Sequence, residues 1–231
     1  MGESLWLAEL SPALDWPLAA GAAGAAPSLA ATRVRAWNQS ALELSSEGTH
    51  YVIAYAGAST LERSKTTFPL AAGMFASVPG SFVVNGVATQ GAGLVITHPG
   101  YRGFFQLGGP IEATGRLRYI DGCTDSLLLA PPVLGDPCLN HLHIPAGTTQ
   151  TRHVHPSVRV GMVVGGEGIC VTPDRELSLR PGLAFMIPAD QLHSFCTGAS
   201  SLDVVVYHPD SDTGPTHEDH PMLNRTLIRS S

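Results

Sequence analysis

The chain has 231 residues, a net charge of −6 and 14% charged against 44% hydrophobic residues. This length is sufficient for one large or two small domains with a buried core. Only 13 residues are Lys or Arg, which leaves no basic stripe for binding phosphates. No apolar stretch approaches the ~20 residues of a membrane-spanning helix. We therefore expect a protein that binds neither nucleic acid nor membranes.

The composition favours many short strands, because 25 Gly and 18 Pro residues supply turns and no long amphipathic pattern predicts a helix. The N-terminus has no basic region, and acidic residues interrupt its apolar residues, so we expect no secretory signal and a cytoplasmic location. The four cysteines show no zinc-type spacing and are predicted to be reduced, buried thiols. They are Cys123, Cys138, Cys170 and Cys196.

Along the chain, residues 1–31 come first and are predicted to form an arm or linker. They contain an Ala/Gly run from Leu18 to Ala31, and a short helix packed on the next domain is the alternative. From Thr32 onward, short β-type runs alternate with Gly, Pro and Asn, and Asn85-Gly86 is a two-residue hairpin signal. This pattern predicts an all-β barrel or sandwich.

The sequence also contains an internal repeat. Aligning Gly73 with Gly182 gives an offset of 182 − 73 = 109. The same offset pairs Gly57 with Gly166, Leu70 with Leu179, Val78 with Ile187 and Pro79 with Pro188. Five matches at one shift indicate two barrels of similar design, the second beginning near Tyr119.

The second half carries a candidate metal site. His153 and His155 are two residues apart, so in an extended strand both imidazoles lie on one face. His193 follows a turn further along and supplies a third imidazole. Three imidazoles suit Fe, Ni, Cu or Zn and leave coordination positions open for water, oxygen or substrate.

At these residues the chain resembles the cupin superfamily. The first cupin motif reads G, five residues, HxH, three or four residues, E, six residues, G. The second reads G, five residues, P, then G, then H and N. The matching positions of the first motif are Gly147, His153, His155, Arg159 and Gly166, and those of the second are Gly182, Pro188, Asp190, His193 and Thr197. Arg159, Asp190 and Thr197 stand where the motifs have Glu, Gly and Asn.

The resemblance implies two tandem cupin barrels, of the double-stranded β-helix or jelly-roll type, with few short helices. Residues 32–117 would form a degenerate barrel, residues 118–210 the metal-binding barrel, and residues 211–231 a tail packed on the barrels. At the offset of 109, the positions of His153, His155 and His193 are Leu44, Ser46 and Val84, and that of Arg159 is His50. The two apolar side chains and the neutral hydroxyl, those of Leu44, Val84 and Ser46, do not suit a transition metal, so the first barrel is expected to be structural.

The replacement of the usual Glu by Arg159 implies a three-His site, like those of thiol dioxygenases and diketone-cleaving dioxygenases. An Arg pointing inward beside a cation is costly unless an anion lies between them. One hypothesis is therefore that Arg159 binds an anionic group of the substrate. The alternative is that Arg159 turns outward into a salt bridge.

Other polar residues are secondary candidates. His141 and His143 share one face of a strand, so both point into the barrel or both point away. Inward, they would support the ligands or act as a general base. Cys196, Tyr207 and His208 are weaker candidates for the pocket. The acidic residues of the tail after Pro209 are predicted to be solvated.

The leading functional hypothesis is a non-haem iron dioxygenase that acts on a small anionic substrate and forms a homodimer. Its cofactor would be one divalent metal ion, Fe(II) first, with Zn, Ni or Mn as alternatives. The competing hypotheses are a metal-dependent isomerase, lyase or hydrolase without redox chemistry, and a non-catalytic cupin that binds small molecules.

Overall fold

The described part of the chain contains almost no helix, and its β-strands form two barrels in tandem. The computed structural model describes residues 5–17, 32–87 and 90–229. In this part of the chain the only α-helix is α1 (Pro221–Asn224), a single exposed turn in the tail. The predicted all-β fold is thus confirmed.

The first barrel consists of a six-stranded sheet and a four-stranded sheet. The larger sheet has the order β11-β8-β5-β10-β3-β2 and the smaller one β4-β9-β6-β7. The strands are β2 (Asp15–Pro17), β3 (Arg33–Asn38), β4 (Ala41–Leu44), β5 (Gly48–Ala56), β6 (Ala58–Arg63), β7 (Thr66–Ala71), β8 (Phe75–Pro79), β9 (Phe82–Asn85), β10 (Ala92–Pro99) and β11 (Gln106–Gly108).

The second barrel consists of a seven-stranded sheet and a three-stranded sheet. The larger sheet has the order β1-β18-β15-β20-β14-β13-β12 and the smaller one β17-β16-β19. The strands are β1 (Trp6–Glu9), β12 (Leu117–Arg118), β13 (Thr124–Leu129), β14 (Cys138–Ile144), β15 (Arg159–Gly166), β16 (Gly168–Val171), β17 (Glu176–Leu179), β18 (Leu183–Ile187), β19 (Ser194–Cys196) and β20 (Leu202–His208).

The N-terminal segment contributes a strand to each barrel. β1 pairs antiparallel with β18 of the second barrel, and β2 pairs antiparallel with β3 of the first. Leu5, just before β1, is buried in the second barrel. Residues 5–17 therefore contribute edge strands to the two larger sheets and do not form a helix. The predicted Ala/Gly linker from 18 to 31 lies outside the described residues.

The pairing registers of the two barrels show the internal repeat directly. His50 faces Val78 across β5 and β8, and Arg159 faces Ile187 across β15 and β18, at the predicted offset. Gly73 and Gly182 both adopt left-handed φ values, of 82° and 85°, a conformation that glycine adopts without strain. The repeated glycines therefore mark the same turn in each barrel.

The offset between the two barrels changes after the paired prolines of the repeat, Pro79 and Pro188. Leu44 faces Phe82 in the first barrel, whereas His153 faces His193 in the second, and 193 − 82 = 111. The connection from Pro188 to His193 is thus two residues longer than that from Pro79 to Phe82. The predicted equivalence of His193 with Val84 is wrong, and the structural counterpart is Phe82.

Three apolar clusters form the core. One fills the first barrel around Trp37, one fills the second barrel around Phe185, and a third lies between the two larger sheets, where Ile53 and Leu94 of one barrel join Met162 and Tyr207 of the other. Alternation along each strand therefore sends one set of side chains into a barrel and the next set into the contact between barrels.

The remaining predictions about the chain have mixed outcomes. All four cysteines are free, three of them fully buried, and burial raises the pKa of Cys138 and Cys170 to about 12. The hairpin prediction at Asn85-Gly86 is wrong, because β9 pairs with β4 and β6. No helix among the described residues is long and apolar enough to span a membrane.

Candidate metal centre

Three histidine side chains meet at one end of the second barrel. His153 and His155 lie in the extended connection between β14 and β15, and His193 immediately precedes β19. His153 and His193 form an isolated antiparallel bridge, in which each backbone N–H donates to the carbonyl of the other at 2.9 and 3.0 Å. This bridge brings the two separate sequence motifs together.

The three rings are close enough to share one ion. One nitrogen from each of the three rings lies within 4.8 Å of the other two. The ring centroids are 4.5 Å apart for His153 and His193, 5.0 Å for His153 and His155, and 5.2 Å for His155 and His193. Among the described residues, no carboxylate or thiol joins this group. The donor set is therefore three imidazoles.

Hydrogen bonds fix the tautomers of two of these rings. His153 Nδ1 lies 2.8 Å from the carbonyl of Thr151, and His193 Nδ1 lies 2.8 Å from the carbonyl of Gln191. A carbonyl oxygen can only accept, so each Nδ1 carries the proton and each Nε2 offers a lone pair. Metal-ligating histidines are commonly oriented by such a bond.

The electrostatics of the site keep two of the rings, those of His155 and His193, neutral. Burial, together with the nearby Arg159 and the other two histidines, lowers the pKa of His155 to about 3. Burial likewise lowers the pKa of His193 to about 4, against the hydrogen bond to Gln191. At neutral pH both imidazoles are unprotonated, as a metal ligand must be. The residues present therefore fit a divalent metal ion.

Arg159 points inward, as one of the two hypotheses requires. The residue is 7% exposed, and its Nη1 donates to Ser157 Oγ at 2.6 Å and to the Ser157 carbonyl at 3.1 Å. It makes no salt bridge with any described residue, and its buried Nε has no hydrogen-bond partner in the structure. The alternative of an outward salt bridge is wrong.

The tail supplies the nearest negative charge to this arginine. Ser157 Oγ donates to Asp210 Oδ1, so Ser157 links the Arg159 guanidinium to a carboxylate. Burial lowers the pKa of Arg159, and Asp210 and Asp212 act in the opposite direction. The expectation that the acidic tail is merely solvated is therefore wrong for Asp210, whereas Asp212 is exposed as expected.

The histidines and Arg159 open into a cavity of about 370 Å³. Its walls combine apolar and polar side chains. The apolar residues are Leu117, Leu142, Phe185, Ile187, Phe195 and Val206, and the polar ones besides the His triad and Arg159 are Arg118, Tyr119, Asp125, Asn140, His208 and Asp212. Cys196 is not among them. The volume is that of a small-molecule site.

Sequence reasoning missed one polar pair in this cavity. Asn140 Nδ2 donates to Asp125 Oδ1 at 2.8 Å, and burial raises the pKa of Asp125, against that hydrogen bond. The only available signal was an acid among the three polar residues that begin the strand Thr-Asp-Ser-Leu-Leu-Leu. His208, a weaker sequence candidate, lines the cavity, whereas Tyr207 faces the other barrel and bonds His98.

His141 and His143 point away from the cavity. Their neighbours Asn140 and Leu142 occupy the inner face of β14, and alternation sends both histidines outward. Both rings bond Asp203 Oδ1, His141 Nε2 at 3.0 Å and His143 Nδ1 at 2.8 Å. His141 also lines a separate cavity between the two barrels. The predicted role of this pair at the metal site is therefore wrong.

In the first barrel, the position that corresponds to Arg159 is occupied by His50. His50 is fully buried, with Nδ1 2.8 Å from Thr97 Oγ1 and Nε2 2.9 Å from the Ser45 carbonyl. Phe82 packs its edge against this ring, with centroids 5.3 Å apart. Both ring nitrogens of His50 are thus used within the core, as expected for a packing residue.

Comparison with known families places this site in context. Residues 140–208, from β14 to β20, match the family model Cupin_2, described as a cupin domain. The second barrel is a cupin domain. The matched region contains all three histidines of the triad and Arg159. No curated protein matches the chain.

Solved structures resemble the whole chain and not only the cupin domain. The Cupin 2 conserved barrel domain protein from Leptotrichia buccalis has a TM-score of 0.56 at 10% identity, with 90% of each chain covered. Protein Ylba from E. coli has a TM-score of 0.59 at 16% identity, with 89% of this chain and 91% of that one covered. A salicylate 1,2-dioxygenase from Pseudoaminobacter salicylatoxidans has a TM-score of 0.54 at 11% identity, covering 77% and 69%. Such identities show the fold alone.

Proposed function

We propose that the cupin domain holds one divalent metal ion with His153, His155 and His193 and acts as a non-haem iron dioxygenase on a small anionic substrate. The observation that carries the proposal is the donor set. Two rings have Nδ1 committed to a carbonyl, and the third, His155, is neutral because burial lowers its pKa. Imidazole binds Fe(II) as well as Zn, Ni and Cu, so the site suits iron without selecting it alone.

Bound there, iron(II) would supply the redox chemistry with O₂ that no side chain of the cavity offers. The protein's own residues would then bind and orient the substrate. Three neutral imidazoles leave the charge of a divalent cation uncompensated, which favours an anionic molecule beside it. The apolar walls around Phe185 and Phe195 would exclude water from its carbon frame.

Arg159 is the proposed anion-binding group. It lines the cavity with the triad, and its charge lowers the pKa of His155 and His193, which places it near them. Its Nη1 is held by Ser157, while the rest of the guanidinium has no described partner. Guanidinium binds carboxylates in a bidentate manner, so a carboxylate would be fixed next to the metal ligands.

Anaerobic loading with Fe(II), followed by oxygen-uptake assays on small thiols, diketones and aromatic acids, tests the reaction type. The proposal predicts uptake with one of these classes and none after His193→Ala. The fold likeness to a salicylate 1,2-dioxygenase supports including aromatic acids. Absence of uptake with every class would contradict the dioxygenase proposal.

A second candidate function rests on Asp125. A partly buried carboxyl group with a raised pKa is suited to accept and return a proton, as metal-dependent isomerases, lyases and hydrolases require. In that case zinc, nickel or manganese would polarise a carbonyl of the substrate. Purification with one of these metals, and turnover that is unchanged without oxygen, would favour this candidate.

We also infer that the protein is a bicupin whose first barrel has lost its site. The strand registers repeat at the offset of 109 up to Pro188, and the positions of two ligands hold Leu44 and Phe82. The first barrel would then serve as a scaffold for the second. A homodimer remains a prediction, and sedimentation measurements would test it.

A further inference from the structure

The cavity of the cupin domain has a second polar end, opposite to Arg159. Arg159 lies on β15 and Asp125 on β13, with β20 and β14 between them in the same sheet. Neighbouring strands lie about 4.8 Å apart, so three spacings separate the two backbones by roughly 14 Å before curvature. Both side chains face the same cavity.

Asp125 is held in place but only partly used. Its Oδ1 accepts from Asn140 Nδ2 at 2.8 Å, and among the described residues it takes part in no ion pair. Burial is the largest influence on its pKa, which is raised. A partly buried carboxyl group of this kind gains from a hydrogen-bond donor on a ligand.

The wall between Arg159 and Asp125 includes an apolar surface. Leu142 of β14 and Val206 of β20 lie on the strands that separate the two residues, and Phe185, Ile187 and Phe195 add to this surface. The polar lining residues of these two strands belong to the two ends, because Asn140 bonds Asp125 and His208 lies under the influence of the Arg159 charge. The apolar surface stabilises hydrocarbon or aromatic carbon and offers it no hydrogen bonds. Across the sheet, the positively charged Arg159 is thus followed by an apolar surface and then by Asp125, which is a hydrogen-bond acceptor.

We propose that the cavity selects an elongated molecule with a carboxylate at Arg159, an apolar or aromatic middle, and a hydroxyl or amino donor at Asp125. This inference rests on the proposed function, since it assigns the carboxylate to Arg159. It adds Asp125 and Asn140 as the residues that determine specificity at the far end. Because the two ends are several bonds apart, a donor next to the carboxylate would not reach Asp125.

The test uses the full-length protein loaded with Zn²⁺, so that binding is measured by calorimetry without turnover. The ligands are phenylacetate, mandelate and 4-hydroxyphenylacetate, which share the carboxylate and ring but differ in the hydroxyl. We expect 4-hydroxyphenylacetate to bind about tenfold more tightly than phenylacetate, as a hydrogen bond to a charged group provides, and mandelate to show no such gain.

The variants separate the two ends of the cavity. Asp125→Ala should abolish the preference for the remote hydroxyl, and Asp125→Asn should reduce it, because the amide oxygen still accepts a hydrogen bond but carries no charge. Both variants should leave phenylacetate binding unchanged. Arg159→Met should weaken the binding of all three acids together. Asp174→Ala, which removes an exposed carboxylate elsewhere on the barrel, is the matched control and should change neither.

The outcomes distinguish this inference from the proposed function. The inference alone is overturned if binding depends on Arg159 but the remote hydroxyl gives no gain in affinity. It is also overturned if the gain in affinity persists in both Asp125 variants. Failure of all three acids to bind the zinc-loaded protein overturns the proposed recognition of anions and the inference with it.

Discussion

His153 and His193 are joined by a pair of backbone hydrogen bonds, each residue donating to and accepting from the other. Their counterparts in the first barrel, Leu44 and Phe82, face each other in the same way. The backbone that positions two of the proposed metal ligands is therefore a feature of both barrels, and only the side chains distinguish the site from a core. Because the bonds between His153 and His193 join backbone atoms and not the imidazoles, loss of one imidazole should leave the fold intact.

Replacing Arg159 with Met should weaken the binding of an anionic ligand by tenfold or more, because the bidentate charged hydrogen bonds are lost. Metal content should stay the same, since Arg159 donates no lone pair. Competition calorimetry and elemental analysis of one sample would measure both. Loss of the metal together with the ligand would contradict the assigned role.

Replacing Asp203 with Ala should destabilise the protein without affecting the metal site. The carboxylate accepts hydrogen bonds from both His141 and His143, on the face of β14 that points away from the cavity. In the variant, each of these two rings would lose its hydrogen-bond partner. An unpaired buried donor costs about 1–3 kcal/mol, so the free energy of unfolding should fall by at least that amount. Denaturant unfolding and metal analysis would check this, and altered metal stoichiometry would speak against our placement of the pair.

The stability of the metal-free protein should fall as the pH is lowered from 7 to 5. Burial lowers the pKa of His50 and His98 in the folded state, whereas the unfolded chain keeps the ordinary value of about 6.5. Below that value the unfolded state binds more protons, so each such histidine removes up to about 1.4 kcal/mol per pH unit. In the His50→Gln variant, the free energy of unfolding should fall less steeply with decreasing pH than in the unmodified protein. In the variant of the exposed His217, His217→Gln, this slope should be unchanged. Equal slopes in all three would refute the assignment.

The N-terminal strand should contribute measurably to the stability of the cupin domain. Leu5 is 3% exposed and packs in the interior of the second barrel, so Leu5→Ala should lower the free energy of unfolding by about 2–3 kcal/mol. The matched control is Leu227→Ala, because Leu227 is 84% exposed. If the two variants have the same stability, β1 does not hold the edge of the sheet in solution.

Much of the fold was accessible from the sequence. Turn glycines such as Gly73 and Gly182 recur because the same left-handed backbone is needed twice. The HxH spacing placed two ligands on one face. The sequence could not show that the connection before His193 is two residues longer than its counterpart in the first barrel. The added residues do not belong to a strand, so they break no periodic pattern.

The orientation of His141 and His143 shows another limit of sequence reasoning. Alternation predicted that both share a face, which is correct, but both faces of β14 are buried: one lines the cavity and the other packs towards the first barrel. A strand that is covered on both sides gives no hydrophobic signal for its inner face. Asp125 was missed for a related reason, because its partner Asn140 comes from a different strand.

The central claim is that three imidazoles hold one metal ion, and metal analysis of the protein prepared without a His tag tests it most directly. We expect about one divalent ion per chain in the unmodified protein and in His217→Ala, and almost none in the double variant His153→Ala, His193→Ala with its fold retained by circular dichroism. Equal metal content in a folded double variant would contradict the account.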